Sequence, residues 1–156
     1  MSHVLSQLGT SREARYYLKQ YSSDAELQFA VIKIGGAVLE EEVESLASAL
    51  AFLRNLGLMP IILHGAGPQL DIALKEASIE TVKRRGLRVT TPEVMEVARP
   101  VIYRANRRLV NALDEQGVRA QGIQHGVFVC DYLDREELGL VGDIRKVDLE
   151  AVRDVI

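Results

Sequence analysis

The chain has 156 residues, about the size of one ordinary domain, and 47% of them are hydrophobic, so a substantial core can form. Its 19 basic and 22 acidic side chains leave a formal charge of -3, which gives no indication of a nucleic-acid or membrane surface at the level of the whole protein. One cysteine, Cys130, and three histidines exclude an internal disulfide and a tetrahedral structural zinc site. The sequence shows no signal-peptide pattern and no apolar stretch of membrane-spanning length, so we expect a cytoplasmic protein.

The N-terminal segment is typical of an amphipathic helix. In residues 10–21, TSREARYYLKQY, Thr10 and Glu13 have capping-box spacing, and apolar residues then recur at helical intervals. A polar stretch breaks this pattern. We therefore predict a helix and linker in residues 1–24 and the main domain in residues 25–156.

Two units of strand, glycine turn and helix follow. Residues 27–34, LQFAVIKI, predict a buried strand that ends at Gly35 and Gly36, and a helix with an apolar stripe follows. Residues 58–63, LMPIIL, predict a second buried strand, and Pro68 suits the start of the next helix. Two such units in succession predict an α/β fold whose parallel sheet is covered by helices.

The second half of the chain is more irregular. Residues 81–90 predict an irregular or hairpin strand segment, and Thr91 and Pro92 then start a long helical pattern. Pro100 lies inside this pattern and should kink or divide the helix. The alternating, glycine-punctuated residues 118–147 predict short strands or hairpins on the same sheet.

Glycine pairs end both predicted strands: Gly35 with Gly36, and Gly65 with Gly67. Glycine lets the backbone approach a phosphate closely and adopt positive φ, and a following helix adds its dipole. One such turn is equally well explained as a tight turn, but two at adjacent parallel strand ends favour a ligand site. The dinucleotide fingerprint and the P-loop are both excluded, because the third glycine and the GK[ST] are missing.

Lys33 lies two residues before Gly35, in a strand predicted to be buried. Lysine is rarely buried without a partner. One interpretation is a lysine that snorkels to solvent near the strand end. The other is a charge that stabilises a phosphoryl group at the glycine turn.

Five segments together resemble the amino-acid kinase family, and within it the N-acetylglutamate kinases. They occur in the order of the family and span nearly the whole chain. HGAGPQ followed by GLRVT resembles the acetylglutamate branch. The segments are VIKIGGAVL (31–39), ILHGAGPQLD (62–71), GLRVT (86–90), NRRLVNAL (106–113) and LGLVGDIRKVD (138–148).

The resemblance implies a three-layer α/β sandwich with a mainly parallel central sheet. Only its N-terminal half would be present, preceded by the extra helix. The implied reaction transfers the γ-phosphoryl group of MgATP to the side-chain carboxylate of N-acetyl-L-glutamate, in arginine biosynthesis. Most of the ATP site of the family lies beyond residue 156, so we expect the 156-residue chain alone not to turn over ATP.

The resemblance also implies roles for individual residues. Lys33 would stabilise charge on the transferring phosphoryl group. Arg88 would bind the α-carboxylate of acetylglutamate, because a guanidinium matches a carboxylate bidentately; a solvated Arg88 is the alternative. The residues that would surround the phosphoryl group and the substrate are Gly35, Gly36, Gly65, Ala66 and Gly67. No metal ligand is expected.

Ala66 departs from the glycine of bacterial monofunctional kinases and resembles the subgroup fused to an acetyltransferase. Either the turn does not need positive φ there, or phosphate binding is weakened. The N-terminal helix resembles that of arginine-sensitive members, which predicts a homo-oligomer with arginine as a possible inhibitor; packing on its own domain is the alternative. A second functional hypothesis follows, namely an arginine-sensing, oligomer-forming domain of an acetylglutamate synthase.

Overall fold

The computed structural model describes residues 28–155. The predicted N-terminal helix and linker lie outside the described residues. Within them, the chain alternates strands and helices, as predicted for an α/β fold. The elements are β1 (Gln28–Ile34), α1 (Gly36–Glu41), α2 (Val43–Asn55), β2 (Leu58–His64), α3 (Gly67–Glu76), β3 (Lys83–Arg84), β4 (Leu87–Arg88), α4 (Pro92–Glu115), β5 (Phe128–Tyr132), α5 (Arg135–Leu138), β6 (Gly142–Val147) and α6 (Leu149–Arg153).

The first two strands pair in parallel, as the two successive strand and helix units predict. Their register runs from Gln28 opposite Leu58 to Ile34 opposite His64. Both strands therefore end at the same level of the sheet. Because a glycine turn follows each strand directly, the register places the two turns side by side.

The core lies between one face of this strand pair and the helices. Leu39 of α1 and Val43 of α2 are each 1% exposed, and Ala47 is fully buried. They form one cluster with the inward face of α4, which includes Val101, Ala105, Leu109, Ala112 and Leu113. Small alanines on both helices let the helix backbones approach closely.

The prediction that β1 is buried on both faces is wrong for the described residues. Burial alternates along the strand: Ile34 is buried at 6% exposure, whereas Phe29 and Val31 are 50% and 66% exposed. Alternation is the pattern of a strand with helices on one face only. Lys33 belongs to the exposed set.

Helix α4 begins as predicted. The Thr91 side chain accepts a hydrogen bond from the Val94 amide at 3.3 Å, and Pro92 occupies the first turn. Pro100 was predicted to kink or divide the helix; it does not divide it, because α4 runs through Pro100 to Glu115. Pro100 and Glu96 are both exposed, so the Glu96 carbonyl that the proline leaves without a donor is on the solvent side of the helix.

The remaining strands form hairpins. β3 and β4 pair antiparallel, which confirms the predicted hairpin, and β5 pairs antiparallel with β6 through an irregularity at Val129 and Cys130. In residues 28–155 each pair is its own two-stranded sheet. The prediction that these later strands extend the first sheet is therefore wrong for the described part of the chain.

A short bridge ties the two hairpins together. The Thr90 amide donates to the Leu138 carbonyl at 2.9 Å, and the Leu140 amide donates to the Thr90 carbonyl at 2.7 Å. Gly139 between them has a φ of 70°.

None of the helices within residues 28–155 is long and apolar enough to cross a bilayer.

Candidate functional site

The two glycine turns contact each other at the carboxyl end of the parallel strands. The Gly65 amide donates to the Ile34 carbonyl at 3.0 Å. A β-carbon built on Gly36 would lie 2.9 Å from the Ala66 Cα and 3.0 Å from the Gly67 nitrogen. Real side chains do not reach such distances, so only glycine at position 36 permits this approach.

Close approach, and not positive φ, explains these turns. The glycines with positive φ in residues 28–155 lie elsewhere, at positions such as Gly57 and Gly86. Ala66 has a φ of −142°, so the turn does not use a positive φ at this position. The Gly65 amide is bonded to the Ile34 carbonyl, so Gly65 also takes part in the contact between the two strand ends.

Gln69, on the first turns of α3, holds the Gly36 turn in place. Its Nε2 donates to the Gly36 carbonyl at 2.6 Å and to Glu40 Oε2 at 3.2 Å. Its Oε1 is buried and has no hydrogen-bond partner. Gln69 was not among the predicted site residues, although it lies two residues after Gly67 in the same motif.

Glu40 extends these contacts to the central helix. Arg108 of α4 contacts it twice: Nη1 lies 3.1 Å from Glu40 Oε1, and Nη2 donates to the Glu40 carbonyl at 3.0 Å. Three helices therefore meet beside the Gly36 turn. Beside it lies a partly open pocket of about 200 Å³ lined by Glu40, Gln69, Val101, Arg104, Ala105 and Arg108.

His64, the last residue of β2, lies beside the second glycine turn. Its Nδ1 lies 3.3 Å from the Gly65 carbonyl, and its Nε2 lies 3.2 Å from Asn106 Nδ2 of α4. A neutral imidazole with its proton on Nδ1 satisfies both contacts, since Asn106 then donates to Nε2. A β-carbon on Gly122 would lie 1.8 Å from Asn106 Oδ1, so the loop that carries Gly122 packs directly on this asparagine.

Lys33 lies at the edge of the glycine turns, and its charged side chain is accessible to a ligand. It pairs in register with Leu63, one residue before His64. Its side chain is exposed, and among the described residues no carboxylate lies within ion-pair distance of it. This exposed position agrees with the interpretation that Lys33 snorkels to solvent. It also leaves the ammonium group able to contact a ligand.

Arg88 of β4 is held from the side by α3. Its Nη2 donates to Asp71 Oδ1 at 2.5 Å, and its side chain is only 15% exposed. The hydrogen bond from Arg88 lowers the pKa of the Asp71 carboxyl below its ordinary value of 3.8, with smaller contributions from the charges of Arg88 and Lys83, against desolvation. Nη1 of Arg88 is buried and has no hydrogen-bond partner within the part of the chain that the structure describes.

Helix α3 therefore links two parts of the predicted site. Gln69 contacts the Gly36 turn, and Asp71, two residues further along the helix, contacts Arg88. Lys33 is connected to this arrangement only through its strand, which leads into Gly35. Within residues 28–155, no three histidine, cysteine or acidic side chains are grouped as a metal site would require.

Comparisons with known proteins match this arrangement to a family. Residues 28–156 match the sequence model of the amino acid kinase family. Acetylglutamate kinase of Xanthomonas campestris is 46% identical over 145 residues, which are 93% of this chain and 34% of that protein. Protein arg-6, mitochondrial, of Neurospora crassa is 43% identical over 98% of this chain and 18% of its own length.

A solved structure shares the fold. N-acetylglutamate synthase from Neisseria gonorrhoeae, in its crystal structure complexed with coenzyme A and L-arginine, superposes with a TM-score of 0.69 and 26% identity. The superposition covers 92% of this chain and 35% of that one. The chain thus spans about a third of the length of these bacterial relatives.

Proposed function

This chain belongs to the amino acid kinase family, and we propose that it forms the acetylglutamate-binding part of an acetylglutamate kinase. The reaction is transfer of the γ-phosphoryl group of MgATP to the side-chain carboxylate of N-acetyl-L-glutamate. The observation that carries this proposal is the register of β1 and β2, since it brings both glycine turns together beside Lys33, which has no ion-pair partner among residues 28–155. The 46% identity to an acetylglutamate kinase supports the same substrate.

In this proposal Arg88 selects the acceptor. The α-carboxylate of acetylglutamate binds the guanidinium through Nη1, which is buried and otherwise unpartnered. A buried N–H group without a partner costs free energy, about 1–3 kcal/mol by analogy with other unsatisfied groups. A carboxylate at this position removes that cost and gains charge-assisted hydrogen bonds.

The chemical step needs positioning and charge stabilisation more than covalent help from the protein. A side-chain carboxylate oxygen of the acceptor forms a bond to the γ-phosphorus while the bond from that phosphorus to the bridging oxygen of ADP breaks. Lys33 stabilises the negative charge of the transferring group as a point charge. Gly35, Gly36, Gly65 and Gly67, with Ala66, leave room for the phosphoryl group and the substrate beside the backbone. MgATP is the second substrate, and its metal is not assigned to residues of this chain.

The fold of the whole kinase domain belongs to the same proposal. Phe29 and Val31 expose one face of β1 within the described residues. In a complete three-layer sandwich, a second layer of helices covers that face. A homo-oligomer in the cytoplasm, without nucleic-acid or membrane partners, completes the proposal.

A second candidate is an arginine-sensing domain of an acetylglutamate synthase. It is favoured by the likeness to the Neisseria gonorrhoeae synthase, whose crystal structure was obtained with coenzyme A and L-arginine. In that case the glycine turns and Lys33 would bind ligand without turnover, and the N-terminal residues 1–24 would contribute to assembly.

The test uses the complete gene product. ADP release is measured with a coupled assay, with and without acetylglutamate, and hydroxylamine traps the acyl phosphate as a hydroxamate. ADP release and hydroxamate that both depend on acetylglutamate support the kinase. Binding of L-arginine by calorimetry, with neither product formed, would instead favour the sensor.

A further inference from the structure

The contact between Asp71 and Arg88 leaves one side of the guanidinium without a hydrogen-bond partner among the described residues. A guanidinium has five N–H donors in a rigid plane. Asp71 Oδ1 binds Nη2 at 2.5 Å, which takes one of the two N–H groups of that nitrogen. Both N–H groups of Nη1 remain without a partner although the atom is buried.

We propose that Asp71 is a positioning residue: it holds Arg88 so that Nη1 and the second N–H of Nη2 face the α-carboxylate of the acceptor. This inference rests on the proposed function and deepens it, because it names the group that sets the direction of the substrate-binding arginine. Fixing the plane in advance lowers the conformational entropy lost when a carboxylate binds both nitrogens.

The charges around Asp71 fit this role. Lys83 pairs with Arg88 across the hairpin of β3 and β4, so one carboxylate faces two cations. Asp71 therefore does not neutralise the positive charge that attracts an anionic substrate. The downward shift of the Asp71 pKa, caused first by the Arg88 hydrogen bond, agrees with a carboxylate that stays ionised at neutral pH.

The location of Asp71 also fits positioning and not substrate contact. Its side chain is 52% exposed, whereas that of Arg88 is 15% exposed. It lies on α3, the helix whose Gln69 fixes the Gly36 carbonyl at 2.6 Å. Helix α3 thus fixes the orientation of Arg88 relative to the Gly36 turn.

The decisive variant is Asp71→Asn, which keeps the size of the side chain but removes its charge. In the complete gene product we expect the KM for acetylglutamate to rise about tenfold, with kcat changed less than about threefold, as expected when binding and not chemistry is impaired. Asp71→Glu should recover part of the affinity. Glu76→Gln on the same helix is the matched control, because Glu76 is exposed and no ion pair involves it among the described residues.

A double-mutant cycle tests whether Asp71 acts through Arg88. In an Arg88→Ala background, Asp71→Asn should leave the KM for acetylglutamate unchanged, because the group that it positions is gone. An equal further rise in KM in that background would overturn the proposal. So would an Asp71→Asn protein that keeps the wild-type KM, or one that loses kcat while its KM stays unchanged.

Calorimetry of acetylglutamate binding separates this inference from the proposed function. A wild-type protein that binds acetylglutamate but releases no ADP refutes the kinase, and the affinity of Asp71→Asn then still decides the positioning role. A wild-type protein that binds no acetylglutamate overturns both.

Discussion

Gly36 and Ala66 approach so closely that a β-carbon on Gly36 would lie 2.9 Å from the Ala66 Cα. The two turns therefore constrain each other through backbone atoms. The requirement for glycine falls on position 36, while Ala66 has an ordinary negative φ of −142°. The turn therefore does not need a glycine at position 66 to reach a positive φ.

Gly36→Ala should destabilise the protein by about 1–3 kcal/mol, the usual cost of forcing atoms into a packed site. The added methyl group would also meet Gln69 Oε1 at 2.8 Å. Gly35→Ala is the matched control, because a β-carbon there meets nothing within 4 Å. Thermal unfolding of both variants checks this prediction, and equal melting temperatures would contradict it.

Lys33→Ala should reduce acetylglutamate-dependent ADP release at least about 100-fold if its charge acts as other electrostatic stabilisers do. Thermal stability should change little, within about 0.5 kcal/mol, because the side chain is exposed and makes no ion pair in residues 28–155. Lys75→Ala, an exposed lysine near the end of α3, controls for loss of a positive charge. Turnover retained in Lys33→Ala would favour the arginine sensor.

Gly139→Ala should be more damaging than Gly126→Ala. Both glycines have positive φ, 70° and 88°, so each substitution carries a strain of about 1–3 kcal/mol. Only at Gly139 would the β-carbon also collide, 2.4 Å from the Thr90 carbonyl oxygen. Chemical denaturation curves provide the comparison, and similar midpoints for the two variants would show that the bridge between the hairpins is dispensable.

The pair of Asp71 and Arg88 should give stability with a defined pH dependence. The folded pKa of Asp71 is lowered, so its contribution is present above the ordinary value of 3.8 and is lost as pH falls through the lower folded value. Asp71→Asn should therefore lower the melting temperature at pH 7, and the difference from wild type should shrink below about pH 4. A difference that stays constant from pH 7 to pH 3 would contradict this assignment.

Local sequence signals predicted the elements that frame the site. The glycines after two aliphatic runs located the ends of β1 and β2, and Thr91 with Pro92 located the start of α4. These signals are short-range: a cap, a turn residue or a hydrophobic period acts within a few residues. The parallel pairing of β1 and β2 was predictable for a different reason. Two successive units of strand and helix favour a parallel sheet with right-handed crossovers.

Contacts between distant residues were not predictable in this way. Nothing in the sequence around Gln69 shows that it contacts Gly36, and nothing around Asp71 indicates Arg88. Hydrophobicity alone was also misleading for β1, since an exposed Val31 and a buried Ile34 are equally apolar. The sequence left open whether Pro100 kinks or divides α4, because only the surrounding structure shows that the freed carbonyl can face solvent.

Asn106 and Arg108 give α4 a mechanical role that neither contact shows alone. Asn106 contacts His64 beside one glycine turn, and Arg108 contacts Glu40 beside the other. Two residues along a helix span about 3 Å and point in different directions. The stiff helix α4 thus fixes the distance between the two turns. Displacing one turn alone would break its hydrogen bond or ion pair with α4.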